Sequence, residues 1–339
     1  MAGHPARGDG SRPQIISLFS GAGGLDWGFR KRGFRIALAI DISAAAVRTH
    51  KKNFPRTHSV EADLKKLGPA GVLRQALRLI ARGSPIGVIG GPPCQGFSQA
   101  NTRRKKSDPR NGLPSLYLKI VRRLQRHYRV EFVVFENVLG IRERKNAAVY
   151  KSLLQGLKNR GLAVTEKELC ARDFGVAQNR RRIVLSALRT RRGYSSVRPR
   201  KRHSRPTVRT AIGKLKPPAF FKRGLRTEDI PVHPNHWTMK PKSPRFRRPH
   251  AVSIDGRSFK RLSWSDASPT IAFGNREIHI HPTGTRRLSI YEAMLLQGFP
   301  ASFVLEGNLS EQVEQVSNAV PPPLAKSVAA AIDLAMLGR

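Results

Sequence analysis

Along the first half of the chain, short unbroken apolar runs are separated by segments whose apolar residues recur at helical spacing. "IISLF" (15–19), "IALAI" (36–40), "PIGVIG" (85–90) and "EFVVFENV" (131–138) read as strands, with two more at 162–169 and 182–188. Helical patterns fall near 24–32, 43–53, 69–81 and 113–128. A strand that is apolar throughout is one covered on both faces. Strands alternating with helices predict an α/β fold with a doubly wound parallel sheet.

After about residue 190 the pattern breaks. "RTRRGYSSVRPRKRHSRPTVR" is basic and poor in large apolar groups, and irregular, Pro-rich sequence continues to about 250. "PTIAF" and "EIHIH" then suggest short strands, so a second, small, mostly β domain is expected. "PPPLAKSVAAAIDLAML" reads as a helix with prolines at its start. The expected division is a disordered basic tail (1–12), a catalytic domain (13–190), a small domain (191–307) and a C-terminal segment returning to the catalytic domain (308–339).

Charge adds a partner to this picture. Lys and Arg number 63 against 22 Asp and Glu, a net charge of +41 spread along all 339 residues. Such a field attracts polyanions and favours nucleic-acid binding through counterion release. No apolar run approaches membrane-spanning length, and "MAGHPARGDGSRPQ" lacks the apolar core of a signal peptide, so a cytoplasmic location is expected. The two cysteines, Cys94 and Cys170, form neither a disulfide framework nor a zinc pattern. No metal is expected from the ten histidines, and His279 and His281 alternate as strand residues do.

Candidate chemistry gathers at three places. In "LFSGAGGLDWGF", Gly21, Gly23 and Gly24 lie between a strand and a helix, where glycine lets backbone approach a ligand. Such a turn also occurs for packing alone, and Gly28 is off the dinucleotide spacing. Asp41 closes the next strand and can hold ribose hydroxyls, while Asp63 in "EADL" can accept from an adenine amino group. In "GGPPCQGFSQANTRRKK", Pro92 and Pro93 fix the backbone before Cys94, and Gly96 allows a sharp turn after it. A thiol of ordinary pKa about 8.5 needs activation to act as a nucleophile, and Arg103, Arg104, Lys105 and Lys106 follow on the same loop. Glu136 in "FENV" closes an apolar strand, a costly place for a carboxyl that is neither used nor paired. A thiol beside a proton-donating carboxyl suits addition to an electron-poor ring.

"ISLFSGAGGL", "GGPPCQGFS", "FENV", "AQNRRRIVL", "RRLSIYEAMLLQGFP" and "SNAVPPPLA" occur in the order of the motifs of the DNA (cytosine-5) methyltransferase family, which the chain resembles except over roughly 190–260. The resemblance implies a Rossmann-like methyltransferase domain, a target-recognition domain, S-adenosylmethionine as cofactor and double-stranded DNA as partner. By the same resemblance, Cys94 is the nucleophile toward C6 of a flipped cytosine, and Glu136 protonates N3. Gln178, Arg180 and Arg182 match Q-x-R-x-R, whose arginines hold the base and the active-site loop. Phe19, Gly21, Gly23, Asp41, Asp63, Leu113 and Asn318 match cofactor-binding positions. Gln95, Ser98, Arg103 and Arg104 match the loop that closes on DNA, where Gln178 is also expected to contribute. It further implies a monomer, with no membrane association, of the restriction–modification or solitary kind; a cognate restriction endonuclease would need no contact with it.

Three positions depart from the family pattern: Ser17 for an acidic residue, Asp41 for the commoner Glu, and Ser317 for glycine. A tRNA-methylating relative would carry Cys-Phe-Thr, whereas Cys170 is followed by Ala171 and reads as a packed strand residue. A non-catalytic DNA-binding descendant would not need Cys94, Glu136, Arg180 and Arg182 intact. A nicotinamide-dependent oxidoreductase would show a different glycine spacing.

Overall fold

The computed structural model describes residues 12–93, 112–189, 197–247, 260–270 and 279–337. The strands of the first half are β1 (Gln14–Leu18), β2 (Ile36–Asp41), β3 (His58–Glu61), β4 (Pro85–Gly90), β5 (Arg129–Asn137), β6 (Leu162–Cys170), β7 (Gln178–Asn179) and β8 (Arg181–Arg189). All but β7 join one sheet in the order β3-β2-β1-β4-β5-β8-β6. Strands β3 to β5 pair in parallel, as the alternation predicts, and β8 runs antiparallel to both β5 and β6. The reversal follows from the short 171–180 connection, which folds β8 straight back on β6, with Cys170 opposite Arg181.

Helices α1 (Gly24–Arg30), α2 (Ala44–Asn53), α3 (Leu64–Leu77), α4 (Leu113–Gln125) and α5 (Ala147–Lys158) fill the crossovers. The predicted helix at 69–81 is the second part of α3, which bends at Gly68 (φ +62°) ahead of Pro69. The turn before the bend starts at Asp63, whose side chain accepts from the Lys65 amide at 2.8 Å. Helix α5 has no counterpart in the pattern reading, although it buries Tyr150, Leu153 and Leu157 at helical spacing.

Side-chain alternation along the sheet sorts the core into two layers. Ile16, Leu18, Val88, Val133 and Phe135 pack toward α3, α4 and α5, where Val72, Ile120 and Leu153 meet them. Ile15, Ile89, Phe132 and Val134 pack on the other face with Leu25 and Phe29 of α1. Helices α6 (Val208–Ile212), α7 (Ile290–Leu296), α8 (Leu309–Asn318) and α9 (Pro322–Met336) complete the second half. Helix α9 lies in the second layer through Leu324, Val328 and Ile332.

The approach of α1 to α9 is close enough to require glycine. A Cβ on Gly28 would stand 2.4 Å from the Ala325 Cβ, and one on Gly24 2.3 Å from the Val320 carbonyl oxygen. Asp333 of α9 also takes Arg12 (3.1 Å) and Arg32 (3.0 Å) as ion-pair partners. Between 197 and 307 the described strands are two-residue pairings: β9 (Ala219–Phe220) with β10 (Trp237–Thr238), and β11 (Ser268–Pro269) with β7. "PTIAF" and "EIHIH" lie largely outside the described residues. Among the described residues, no helix is long and apolar enough to cross a membrane.

Candidate active site

In the sheet order, β1 sits between β2 and β4, so the crossovers leave it in opposite directions and a crevice opens at the carboxyl ends of β1 and β4. A cavity of about 320 Å³ occupies that place, bounded by the glycine turn, the ends of β2, β4 and β5, two arginines of the β7–β8 region, and α8. Its size falls in the range of small-molecule sites.

One wall is made mainly of backbone. Phe19 (φ +54°), Gly21 (φ +54°) and Gly23 (φ +91°) all occupy the left-handed region, which for Phe19 stores strain of the order of 1–3 kcal/mol. Asp41 holds this turn against β2: its Oδ2 accepts from the Gly21 amide at 2.7 Å and its Oδ1 from the Ser43 amide at 2.9 Å. Burial raises the Asp41 carboxyl above its ordinary range, against the pull of those amides. Each oxygen keeps a second lone pair for a hydroxyl donor. Gly23 opens α1, and a side chain there would run into Phe54 at 2.5 Å. Across the cavity, α8 contributes Glu311, Glu314 and the exposed Asn318.

The other wall is made of side chains. Glu136, near the end of β5, is buried, and Arg182 Nε of β8 approaches its Oε1 to 3.0 Å as an ion pair, without the alignment of a hydrogen bond. Burial raises the Glu136 carboxyl, and Arg182 and Arg180 offset this only in part. The group is therefore held toward its protonated form. Gly91 is cut to fit it, since a Cβ there would stand 2.9 Å from Glu136 Oε2. Asn137 donates from Nδ2 to the Pro92 carbonyl at 3.1 Å, tying the glutamate strand to the Pro-Pro turn. Arg180 is 1% exposed and donates from Nη2 to the Ser317 carbonyl at 2.7 Å, joining this wall to the end of α8.

Phe19, Gly21, Asp41, Glu136, Arg180, Arg182 and Asn318 thus meet around one cavity. Gly23 stands just behind it as the first residue before α1. Asp63 and Leu113 do not line it: Asp63 caps α3, and Leu113 is buried at the start of α4. Gln178 is fully buried in β7, and neither atom of its amide has a hydrogen-bond partner. Cys94, Gln95, Ser98, Arg103 and Arg104 lie outside the described residues, which on this side reach Pro93 on the cavity wall. Cys170 is a half-buried free thiol at the end of β6.

Several lining residues escaped the sequence reading. Ile42, 65% exposed beside Asp41, offers an apolar surface, and an apolar residue straight after an acidic strand end was its signal. Ser17 and Asp26 line the cavity as buried polar groups without hydrogen-bond partners, and nothing in their spacing marked them.

A family model described as C-5 cytosine-specific DNA methylase matches residues 13–333. The type II methyltransferase M.MthTI of Methanothermobacter thermautotrophicus is 32% identical, over 93% of this chain and 95% of that protein. M.NgoPII of Neisseria gonorrhoeae, also a type II methyltransferase, is 29% identical over 94% and 95%. A solved prophage-encoded protein of E. coli, described as a DNA modification methyltransferase, shares the fold with a TM-score of 0.78. It is 24% identical, over 96% of this chain and 100% of that one. With the family model spanning nearly the whole chain, and with the cavity at the switch point of its sheet, the chain belongs to the C-5 cytosine-specific DNA methylases.

Proposed function

We propose that the chain moves a methyl group from S-adenosylmethionine to C5 of a cytosine turned out of duplex DNA, with Cys94 as the nucleophile. The observation that carries this reading is the coupling of Glu136 to the Pro-Pro turn. Asn137, its neighbour on β5, holds the Pro92 carbonyl, two residues before Cys94. A proton-bearing carboxyl and the loop that carries the thiol are thereby fixed to each other.

The cavity fits an adenosine-containing cation. It offers an acceptor carboxylate on Asp41, an exposed apolar face on Ile42, and glycine where a side chain would intrude. Asp26, Asp41, Glu311 and Glu314 face it in a chain whose net charge is +41. When bound, the cofactor supplies an electrophilic methyl group.

The rest is done by the protein. Glu136, kept protonated by burial, gives its proton to cytosine N3 while the Cys94 sulfur bonds to C6, so negative charge does not build on the ring. Arg182 keeps the carboxyl in place. Once C5 carries its methyl group, loss of the C5 proton reforms the ring double bond and expels the sulfur. Turning the base out costs a few kcal/mol of stacking, which phosphate contacts from a strongly basic surface offset. Double-stranded DNA is the partner in this reading. The type II relatives suggest a modification role, in which a restriction endonuclease would act on the same sites.

The test is bisulfite sequencing of DNA from a methylation-free bacterial host that expresses the chain, beside a Cys94→Ser control. Protected cytosines in one short recurring context, absent from the control, are expected. Soluble protein that protects no cytosine would overturn the reading.

A further inference from the structure

The wall of the cavity holds a buried carboxylate that no motif accounts for. Asp26, in the first turn of α1, is 0% exposed, and neither of its carboxylate oxygens has a hydrogen-bond partner. Its nearest charged neighbour is His50 of α2, whose Nε2 stands 3.7 Å from Asp26 Oδ1, beyond hydrogen-bonding reach. His50 is not free to close that gap. It is itself fully buried, its Nδ1 lies 2.8 Å from Ser59 Oγ, and its ring stacks on Phe54 at 4.1 Å between centroids.

A carboxylate withdrawn from water without donors is among the costliest arrangements in a fold. Asp26 nevertheless borders the cavity, and Ser17 Oγ, also buried without a partner, borders it too. Two unsatisfied acceptors on one cavity wall indicate that a ligand completes them. An ionised carboxylate only accepts hydrogen bonds, so the ligand group must be a donor, and a cation is favoured over a neutral one. The cofactor of the reading above carries two cationic groups. Its sulfonium has no N–H, whereas its α-ammonium has three.

We propose that Asp26 is a cofactor-contacting residue whose carboxylate accepts hydrogen bonds from the α-ammonium group at the amino-acid end of the cofactor. His50, braced by Ser59 and Phe54, is a positioning residue that holds Asp26 toward the cavity. This rests on the cofactor reading given under Proposed function, and it assigns one end of the ligand to one wall.

The test uses the full chain and two probes titrated to equilibrium. S-adenosylhomocysteine keeps the ammonium group; 5′-methylthioadenosine keeps the nucleoside and the sulfur but lacks the amino-acid end. Asp26→Asn is expected to weaken S-adenosylhomocysteine by about tenfold or more while moving 5′-methylthioadenosine less than about twofold. His50→Gln, which leaves the carboxylate in place, is expected to show the same selectivity with a smaller loss, and it serves should Asp26→Asn fail to fold. Equal weakening of both probes would make Asp26 a structural residue and overturn the proposal. No change in either would mean that internal water satisfies the carboxylate, and would overturn it as well. A wild-type chain that binds neither probe would instead bring down the cofactor reading, and the proposal with it.

Discussion

The two walls of the cavity reach the same precision by different means. The glycine-turn wall is set by backbone: three left-handed residues, and amides that point at Asp41. The opposite wall is set by side chains from β5 and the β7–β8 region, held by contacts to Ser317 and Pro92 far along the chain. The first wall presents carboxylates, while the second joins a carboxyl to two guanidiniums. A backbone wall fails when a side chain is added where none fits. A side-chain wall fails when a functional group is exchanged for one of equal size.

The largest effect is expected on the side-chain wall. Glu136→Gln keeps the shape and removes the proton donor, so methyl transfer should fall by about 10²–10⁴-fold. Transfer of labelled methyl to DNA would measure this, with cofactor affinity changed less than about twofold. On the backbone wall, Gly24→Val puts a side chain into the Val320 carbonyl. Overpacking of that kind costs about 1–3 kcal/mol, read as a lowered denaturant midpoint, and it should weaken the cofactor by moving α8.

A subtler contrast is the loss of the Asp41 carboxylate. Asp41→Asn still fills the space but offers one acceptor where two amides now point. Cofactor affinity should drop by about tenfold, measured by calorimetry, with the Glu136 wall untouched.

The smallest effect concerns pH. Because burial raises the Glu136 carboxyl, the native chain binds that proton more tightly than the unfolded chain does. Stability from this group is present at low pH and declines as pH rises from the ordinary glutamate range through the raised value. Glu136→Gln has no such decline. Melting temperatures compared from about pH 4 to about pH 8 should therefore shift in favour of the variant as pH rises. The opposite drift would show that the Arg182 pair outweighs burial.

Much of the scaffold was legible because its strands are covered on both faces and so appear as unbroken apolar runs. Glu136 and Asp41 were legible for a related reason, since an acid closing an apolar strand calls for an explanation. Asp63 shows where that logic misleads. An acid just before an apolar helical stretch is equally a helix cap, and the structure gives Asp63 that role. Asp26 gave no signal at all, because an acid in the first turn of a helix is common and usually only complements the helix dipole. The Arg180–Ser317 bond crosses 137 positions, and no local pattern carries such a distance.

The α1–α9 contact has a consequence for how the enzyme is born. Arg12 meets Asp333 across 321 positions, and Gly24 and Gly28 await partners that translation delivers near the close of the same passage. While α8 and α9 are still unmade, a nascent chain has its glycine turn but lacks one side of the cavity. A ribosome may carry several such chains beside the nucleoid, strongly basic and already drawn to DNA, yet none can modify it before α9 has emerged. The order of synthesis thus acts as a timer on the first methyl mark.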